Sequence, residues 1–589
     1  MPPDTLVAAD VDRPPTPTRR GRGGRAWWQR AWDAPLWAHG AILLVGLLAL
    51  VPVIGVRGLF SGDEGALAAQ TRALHDDGAW SVPNPFPAVD PDGRAFPYDL
   101  SQPTDGGAAP FVKHPVYPWI ASPLYGLGGM TSVQALSVLG GAAAALAAAG
   151  VACVIRRGLE RPTRWIVGLA SPLLFDSYLL IAHTLGAAAA TGALLAGLLA
   201  VQRRRPAWAA AVLLAIMAAG LVRNEAVLYG LAVAGAFGAI GLRRRDPVAL
   251  TVSVLAGVGA VAAKVLDGAL SRAVVGQADA IGVPGGTADG LSGVISGRVG
   301  ALLTTLVAPG YGGRPLAGLL VLLAGGCLLA AALVARRPVV DRGLITGLVT
   351  IGAVASLLRL VLVPAALVPG LFVAFPLLAA GLCLLRRDHL RGPAAYVGAT
   401  SALFVAAVAA TQYASGGSGE WGGRYFALGV PAMVPLARAA LSDAGARLGS
   451  DDRRRVGVGL AVVTVCFAVL SLLSLRAVHR GTEAVVAQVA SVAAETDPGD
   501  GGPPVVLTTA EALPRLSWEH VPDGRWLLVT SRALPGYAER LDAAGVRRLV
   551  FAGDAPWRTA EAVAGSYQVV ETVAPVPGSR WTVQVLEAE

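Results

Sequence analysis

The stretch WAHGAILLVGLLALVPVIGV runs from Trp37 to Val56, and FSGDEGAL follows closely, from Phe60 to Leu67. The first part has about 20 apolar residues and no Asp, Glu, Lys or Arg, long enough for an α-helix to cross a hydrocarbon core roughly 30 Å thick. The second part turns polar at once and carries two adjacent carboxylates, Asp63 and Glu64. Together they read as a membrane span that delivers a carboxylate pair to the membrane surface. Residues 1–36 are rich in Pro and Arg and read as a disordered cytoplasmic tail. A cleaved signal peptide is not expected, because the first apolar run is long enough to span.

Composition extends this reading to the whole chain. Of 589 residues, 54% are hydrophobic and 15% charged, and the mean hydropathy is +0.58. A soluble domain carries roughly 25% charged residues. The chain therefore belongs to the polytopic membrane class. Its net charge of +9 is concentrated in short loops between apolar runs, at Arg156/Arg157, Arg203–Arg205, Arg243–Arg245, Arg336/Arg337, Arg386/Arg387 and Arg453–Arg455. That is the distribution of cytoplasmic loops under the positive-inside rule. It is not the single basic face that a nucleic-acid partner needs, so no nucleic acid is expected. Only two of the 48 basic residues are lysines, Lys113 and Lys264; the arginine bias reads as a GC-rich, actinobacterial genome. The four cysteines fall in apolar runs without metal-ligand spacing and read as packing residues.

Taking the arginine clusters as cytoplasmic threads about 13 transmembrane helices through residues 37–476. A long external loop covers 57–131, and a Gly-rich external stretch covers about 267–312. An odd number of crossings places the C-terminus outside. Within 477–589 short strand-like runs alternate with helical ones after a Gly/Pro linker, Asp497 to Pro504: Val505–Leu507, Trp526–Thr530, a helical Pro535–Ala544, Arg548–Ala552, Tyr567–Val573 and Trp581–Leu586. This predicts a small extracytoplasmic α/β domain.

The chemistry concentrates in the first external loop. Asp63 and Glu64 are followed about 50 residues later by FVKHPVYPWI, Phe111 to Ile120. A carboxylate at a membrane surface can serve as general base with a second carboxylate orienting it. A nearby lysine, Lys113, can neutralise a phosphate as a point charge. The same residues have local readings: Ser61-x-x-Glu64 is a capping box, Asp63 suits a helix N-terminus, and Lys113 can snorkel. Capping and catalysis are compatible, since a helix start is a rigid mount for a carboxylate.

An Asp-Glu pair after the first helix, then a Lys-His-Pro motif before an interfacial helix, resembles the GT-C superfamily of membrane glycosyltransferases. The nearest likeness is to protein O-mannosyltransferases and lipid A aminoarabinose transferases, of the glycosyltransferase family 39 type. It covers roughly residues 37–430. The resemblance implies an all-α GT-C fold and transfer of a mannose-like or arabinose-like monosaccharide from a polyprenyl-phosphate donor. The acceptor would be a glycan, lipid or protein of the cell envelope. It makes Asp63 the catalytic carboxylate and Glu64 its support, and brings Lys113 and His114 to the donor phosphate. The sequence departs from the family pattern at Val116 and Pro118, which leaves donor and acceptor open.

Three more external sites are candidates. His183 begins the fourth helix. Arg223 and Glu225 turn the next hairpin and either bind substrate or tie the hairpin ends together. Glu420-Trp421-Gly422-Gly423-Arg424-Tyr425 resembles a Trp-Gly-x-Arg-Tyr segment of bacterial GT-C enzymes. There Arg424 would hold the lipid phosphate bidentately, with Trp421 and Tyr425 either lining the site or anchoring an aromatic belt, and Glu420 as a second carboxylate. Divalent metal use is open, and metal-independent chemistry is expected. The alternatives are a lipid-linked sugar transporter or flippase, for which Lys264, Asp267 and Arg359 are the candidate charges, and a non-catalytic envelope scaffold.

Overall fold

The computed structural model describes residues 35–98, 109–110, 114–275, 290–310, 314–411, 420–554, 561 and 563–589. Helix α1 (Leu36–Ile54) is the first apolar run, and α2 (Gly62–Asp76) carries the carboxylate pair. A two-residue ladder, β1 (Ser81–Val82) with β2 (Ala109–Pro110), lies in the first loop. Helix α3 (Val116–Ile155) merges the expected interfacial helix with the second crossing. Its kink falls at Gly128 and Gly129, whose backbone leaves helical geometry.

Helices α4 (Glu160–Leu169) and α5 (Leu173–Asp176) are short. They lead into α6 (His183–Arg203), α7 (Pro206–Val222), α8 (Glu225–Arg244) and α9 (Pro247–Val275). After these come α10 (Gly290–Val307), α11 (Pro315–Arg336), α12 (Arg342–Leu362), α13 (Leu371–Ala374) and α14 (Pro376–Cys383). Then follow α15 (Pro393–Thr411), a 3-10 turn (Arg424–Gly429), α16 (Val430–Ala446) and α17 (Ser450–Glu495).

Among the described residues ten helices are long and apolar enough to cross a membrane, rather than the thirteen expected. The other three expected crossings fall on short or broken elements: α4–α5, split at Ser171-Pro172; α7, of 17 residues; and α13–α14, split before Pro376. A proline removes a backbone donor and clashes with the preceding turn, so two of the three breaks have a local cause. The external stretch expected at 267–312 contains the last turns of α9 and the whole of α10.

Helix packing relies on small residues, as is usual where lipid provides no hydrophobic drive between helices. At Gly140 a Cβ would sit 2.7 Å from the Leu185 nitrogen, so α3 and α6 touch backbone to backbone. Leucines of α11 such as Leu319 and Leu322 stay exposed.

Helix α17 has 46 residues rather than the span 456–476 expected from hydropathy. At 1.5 Å per residue it is about 69 Å long, twice the hydrocarbon thickness, so it carries the chain well clear of the apolar layer. Its last turns bury Val485, Val486, Val489 and Ala493 against a five-stranded sheet. The strands are β3 (Val505–Thr508), β4 (Arg525–Leu528), β5 (Arg548–Gly553), β6 (Tyr567–Val573) and β7 (Thr582–Ala588), in the order β4-β3-β5-β7-β6. β3 pairs parallel with β4 and β5; β7 pairs antiparallel with β5 and β6. Helices α18 (Ala512–Leu516) and α19 (Leu534–Ala543) make the two crossovers.

The first loop is built into this region. Phe86, Val89 and Ala95 share a core with Leu507, Leu527 and Phe551. The Leu528 N–H donates to the Ala95 carbonyl at 2.9 Å, and the Tyr537 hydroxyl donates to Asp90 Oδ1 at 2.8 Å. Asp90 is buried and also accepts from the Arg94 and Ala95 N–H groups.

Candidate active site

Helix α2 starts with a complete capping box. Ser61 Oγ accepts from the Glu64 N–H at 3.4 Å, and Glu64 Oε2 accepts from the Ser61 and Phe60 N–H groups at 3.0 and 2.8 Å. Glu64 Oε1 accepts from the Leu180 N–H at 2.7 Å. Three backbone donors thus meet a fully buried carboxyl. Burial pushes that carboxyl up to about 8 against the pull of the donors. Glu64, expected as the support of Asp63, ties the start of α2 to the turn before α6. Its oxygens are committed to backbone, so it positions the helix that presents Asp63.

Arg424 meets Asp63 from the far end of the chain. Its Nη2 donates to Asp63 Oδ2 at 2.8 Å, and its Nη1 lies 3.1 Å from Glu420 Oε1. The turn that makes this possible is Gly422-Gly423, with φ of +73° and +78°, a region L side chains rarely occupy. A Cβ on Gly423 would also stand 2.8 Å from the Thr305 carbonyl. Trp421 is buried and stacks on Phe175, ring centroids 6.4 Å apart, so it is a core residue and not a belt anchor. The Arg424 guanidinium lies 5.8 Å over the Tyr425 ring. Burial pushes the Glu420 carboxyl up to about 6, with Arg424 opposing.

His183, at the first position of α6, is fully buried. Its Nδ1 is 3.6 Å from Asp176 Oδ1 and 3.9 Å from Glu420 Oε2. Asp176, at the end of α5, was not singled out in the sequence. Its signal there is a lone carboxylate in the apolar run LASPLLFDSYLLIA, 169–182, and intramembrane carboxylates deserve functional suspicion. Arg223 Nη2 donates to Glu225 Oε1 at 2.6 Å, the hairpin tie that was one of the two readings. Both lie within Coulombic reach of Glu420.

Lys113 lies outside the described residues. His114 Nδ1 is 2.9 Å from Oδ1 of Asp267, a buried residue of α9. Asp267 is thus the anchor of the His114-Pro115 segment. Arg359 is buried and donates through Nη2 to the Ala366 carbonyl at 2.8 Å, while Lys264 is exposed on α9.

A cleft of 1140 Å3 opens beside this cluster. Phe60, Ser61 and Gly62, immediately before Asp63, form part of its wall. Arg314, exposed leucines of α11 and the β6–β7 connection at Arg580 and Trp581 form others. Two arginines and no carboxylate line it. Its chemistry suits an anionic amphiphile: apolar residues for a lipid tail, guanidinium groups for a charged head.

The fold is shared with a solved structure of ArnT. The chain is similar to the crystal structure of ArnT from Cupriavidus metallidurans bound to undecaprenyl phosphate, with TM-score 0.50 and 15% identity over 94% of this chain and 98% of that one. The apo structure of the same ArnT follows at TM-score 0.48, 15% identity and the same coverage. The Archaeoglobus fulgidus oligosaccharyltransferase AglB, in complex with an inhibitory peptide and a dolichol-phosphate, follows at TM-score 0.41. There the identity is 14% over 89% of this chain and 70% of that one. No protein-family model matches the sequence, and no curated protein matches it.

Proposed function

We propose that the protein transfers a mannose-like or arabinose-like monosaccharide from a polyprenyl phosphate to an envelope acceptor at the outer face of a bacterial cytoplasmic membrane. One observation carries this reading. Asp63 is the carboxylate in an otherwise enclosed charged cluster with the greatest exposure, 27% of its side chain against 2% for Asp176 and Glu420. The residues just before it, Phe60 to Gly62, line the amphipathic cleft. The likeness to an ArnT bound to undecaprenyl phosphate supports a polyprenyl-phosphate donor.

In this mechanism the donor's chain lies along α11 and its phosphate faces the arginines. Asp63 takes the proton of the acceptor hydroxyl as that oxygen bonds to the anomeric carbon. The bond from that carbon to the phosphate oxygen breaks, and the sugar inverts. The departing phosphate gains negative charge, which Arg424, Arg314 and Lys113 offset. Arg424 holds Asp63 Oδ2 in place, and Glu64 holds the helix beneath it. The transport reading has less support, because Asp267 and Arg359 are engaged in local hydrogen bonds and Lys264 faces outward.

The test is transfer by the purified protein in lipid nanodiscs, with labelled polyprenyl-phosphate sugars and a cell-envelope extract. Label reaching a larger product with wild type and not with Asp63→Asn supports the reading and names the sugar. No transfer from any donor by folded protein overturns it.

A further inference from the structure

The charged cluster holds more than glycosyl transfer requires. Asp176, His183 and Glu420 are each no more than 3% exposed. Both oxygens of Asp176, both ring nitrogens of His183 and Glu420 Oε2 are buried without a hydrogen-bond partner, and Glu420 Oε1 has only its ion pair with Arg424. Buried polar atoms are normally satisfied, and leaving one unmet costs about 1–3 kcal/mol. Three such side chains converging from three separate elements point to a shared ligand.

Electrostatics gives that ligand a sign. Asp63, Asp176, Glu225 and Glu420 set four carboxylates within reach of two guanidiniums, those of Arg223 and Arg424. Acidic groups outnumber guanidiniums in this enclosed space, so it favours a cation over an anion. A bound cation would replace the protons that burial otherwise holds on these carboxyls.

Geometry gives it a size. One ligand atom from each of Asp176, His183 and Glu420 lies within 4.8 Å of the others. The His183 Nδ1 contacts to Asp176 and Glu420 are 3.6 and 3.9 Å. A tetrahedral ion with bonds of about 2.1 Å has ligand–ligand edges of about 3.4 Å. A few tenths of an ångström of inward movement brings both contacts to coordination distance. One imidazole with two carboxylates favours a transition cation such as Zn2+ or Mn2+ over Mg2+ or Ca2+, which prefer oxygen alone.

We propose that Asp176, His183 and Glu420 bind one divalent transition-metal cation, with further coordination positions left for water or substrate. Bound there, the ion also draws Glu420 away from sole dependence on Arg424. It thereby links the α5–α6 turn to the Gly422-Gly423 turn that presents Arg424 to Asp63. Such an ion supplies positive charge beside the reacting groups.

The inference stands apart from the transfer reading, because its readout is ion binding. Protein stripped with chelator in nanodiscs is titrated with Mn2+ under electron paramagnetic resonance and with Zn2+ under calorimetry. Thermal unfolding is followed in parallel. One ion per chain, a higher melting temperature with the ion, and an affinity at least about tenfold weaker in His183→Ala and Asp176→Asn are expected. If either variant does not fold, Glu420→Gln is read in its place. Wild type that takes up no ion overturns the proposal, and so does equal binding by wild type and the folded variants.

Discussion

Arg424 donates to Asp63 at 2.8 Å although the two are 361 positions apart in the chain, joining the start of the second helix to the turn that leads into α16. The same guanidinium faces Glu420 at 3.1 Å, so one cation holds two carboxylates that belong to different loops. This pairing makes Asp63 an oriented group rather than a loose surface charge.

Asp63→Asn keeps the size of the side chain and removes its basicity. Transfer is expected to fall by about 10²–10⁴-fold, the usual contribution of a positioned general base. Melting temperature and donor binding should change little. Single-turnover assays beside a thermal unfolding curve check both halves.

Arg424→Gln leaves Glu420 buried beside no cation. Removing one partner of a buried pair costs about 3–5 kcal/mol, and Arg424 is 17% exposed, so a loss of about 3 kcal/mol is expected. Activity should fall by about 10²–10³-fold if the arginine also offsets developing phosphate charge. Arg424→Lys keeps a charge but cannot serve two carboxylates in a fork, and it should recover stability more than activity.

Gly65 sits where α2 meets the C-terminal end of α18. A Cβ there runs into the Arg515 carbonyl and stands 3.1 Å from the Leu516 nitrogen. Gly65→Ala should destabilise the chain by about 1–3 kcal/mol through overpacking. It should also lower transfer, because the sheet region buttresses the helix that carries Asp63. Hydrogen exchange across residues 62–76 would locate the loosening.

The Glu64 carboxyl is raised from 4.5 to about 8. A carboxyl whose folded value exceeds its unfolded one favours folding most in acid, below the unfolded value. That contribution is lost as pH rises through about 8. Wild-type melting temperature should therefore fall between about pH 5 and pH 8, and Glu64→Gln should flatten that part of the curve. Equal slopes in the two proteins would exclude Glu64 as the titrating group.

Asp267→Asn weakens the contact that seats His114. A hydrogen bond involving charged groups is worth about 1.5–3 kcal/mol. The donor KM should therefore rise about tenfold with a smaller change in kcat, which steady-state kinetics on the donor would resolve.

Part of this site is written in short stretches of sequence. Asp63 and Arg424 each sit in a local motif, and Gly422-Gly423 marks a turn that only glycines fit. The strands of the C-terminal sheet follow apolar runs bounded by turn residues and were readable to within a few positions. Asp176 was not readable, because a single acid after Leu173-Leu174-Phe175 looks like the end of a crossing. Asp267 looked like a charge for transport until His114 lay against it. Glu64 carried two compatible readings, and its third donor, the Leu180 N–H, decided for positioning. The expected crossings and the long apolar helices part where elements are short or broken, since hydropathy averages over a window and does not register a break at Ser171-Pro172.

By itself the sequence determined that this chain spans a membrane many times, that a carboxylate pair follows the first span, and that a small sheet region closes the chain. Those properties depend on hydropathy and side-chain period, which are local. Only the tertiary structure decided which charges meet: Asp63 with Arg424, His114 with Asp267, and Asp176 with His183 and Glu420. A buried charge is tolerable only beside a partner, and the partners here come from helices and loops far apart in the chain. Apart from Asp176 and His183, seven residues apart, no short window of sequence contains both members of such a pair, so the site is complete only once the helices have packed.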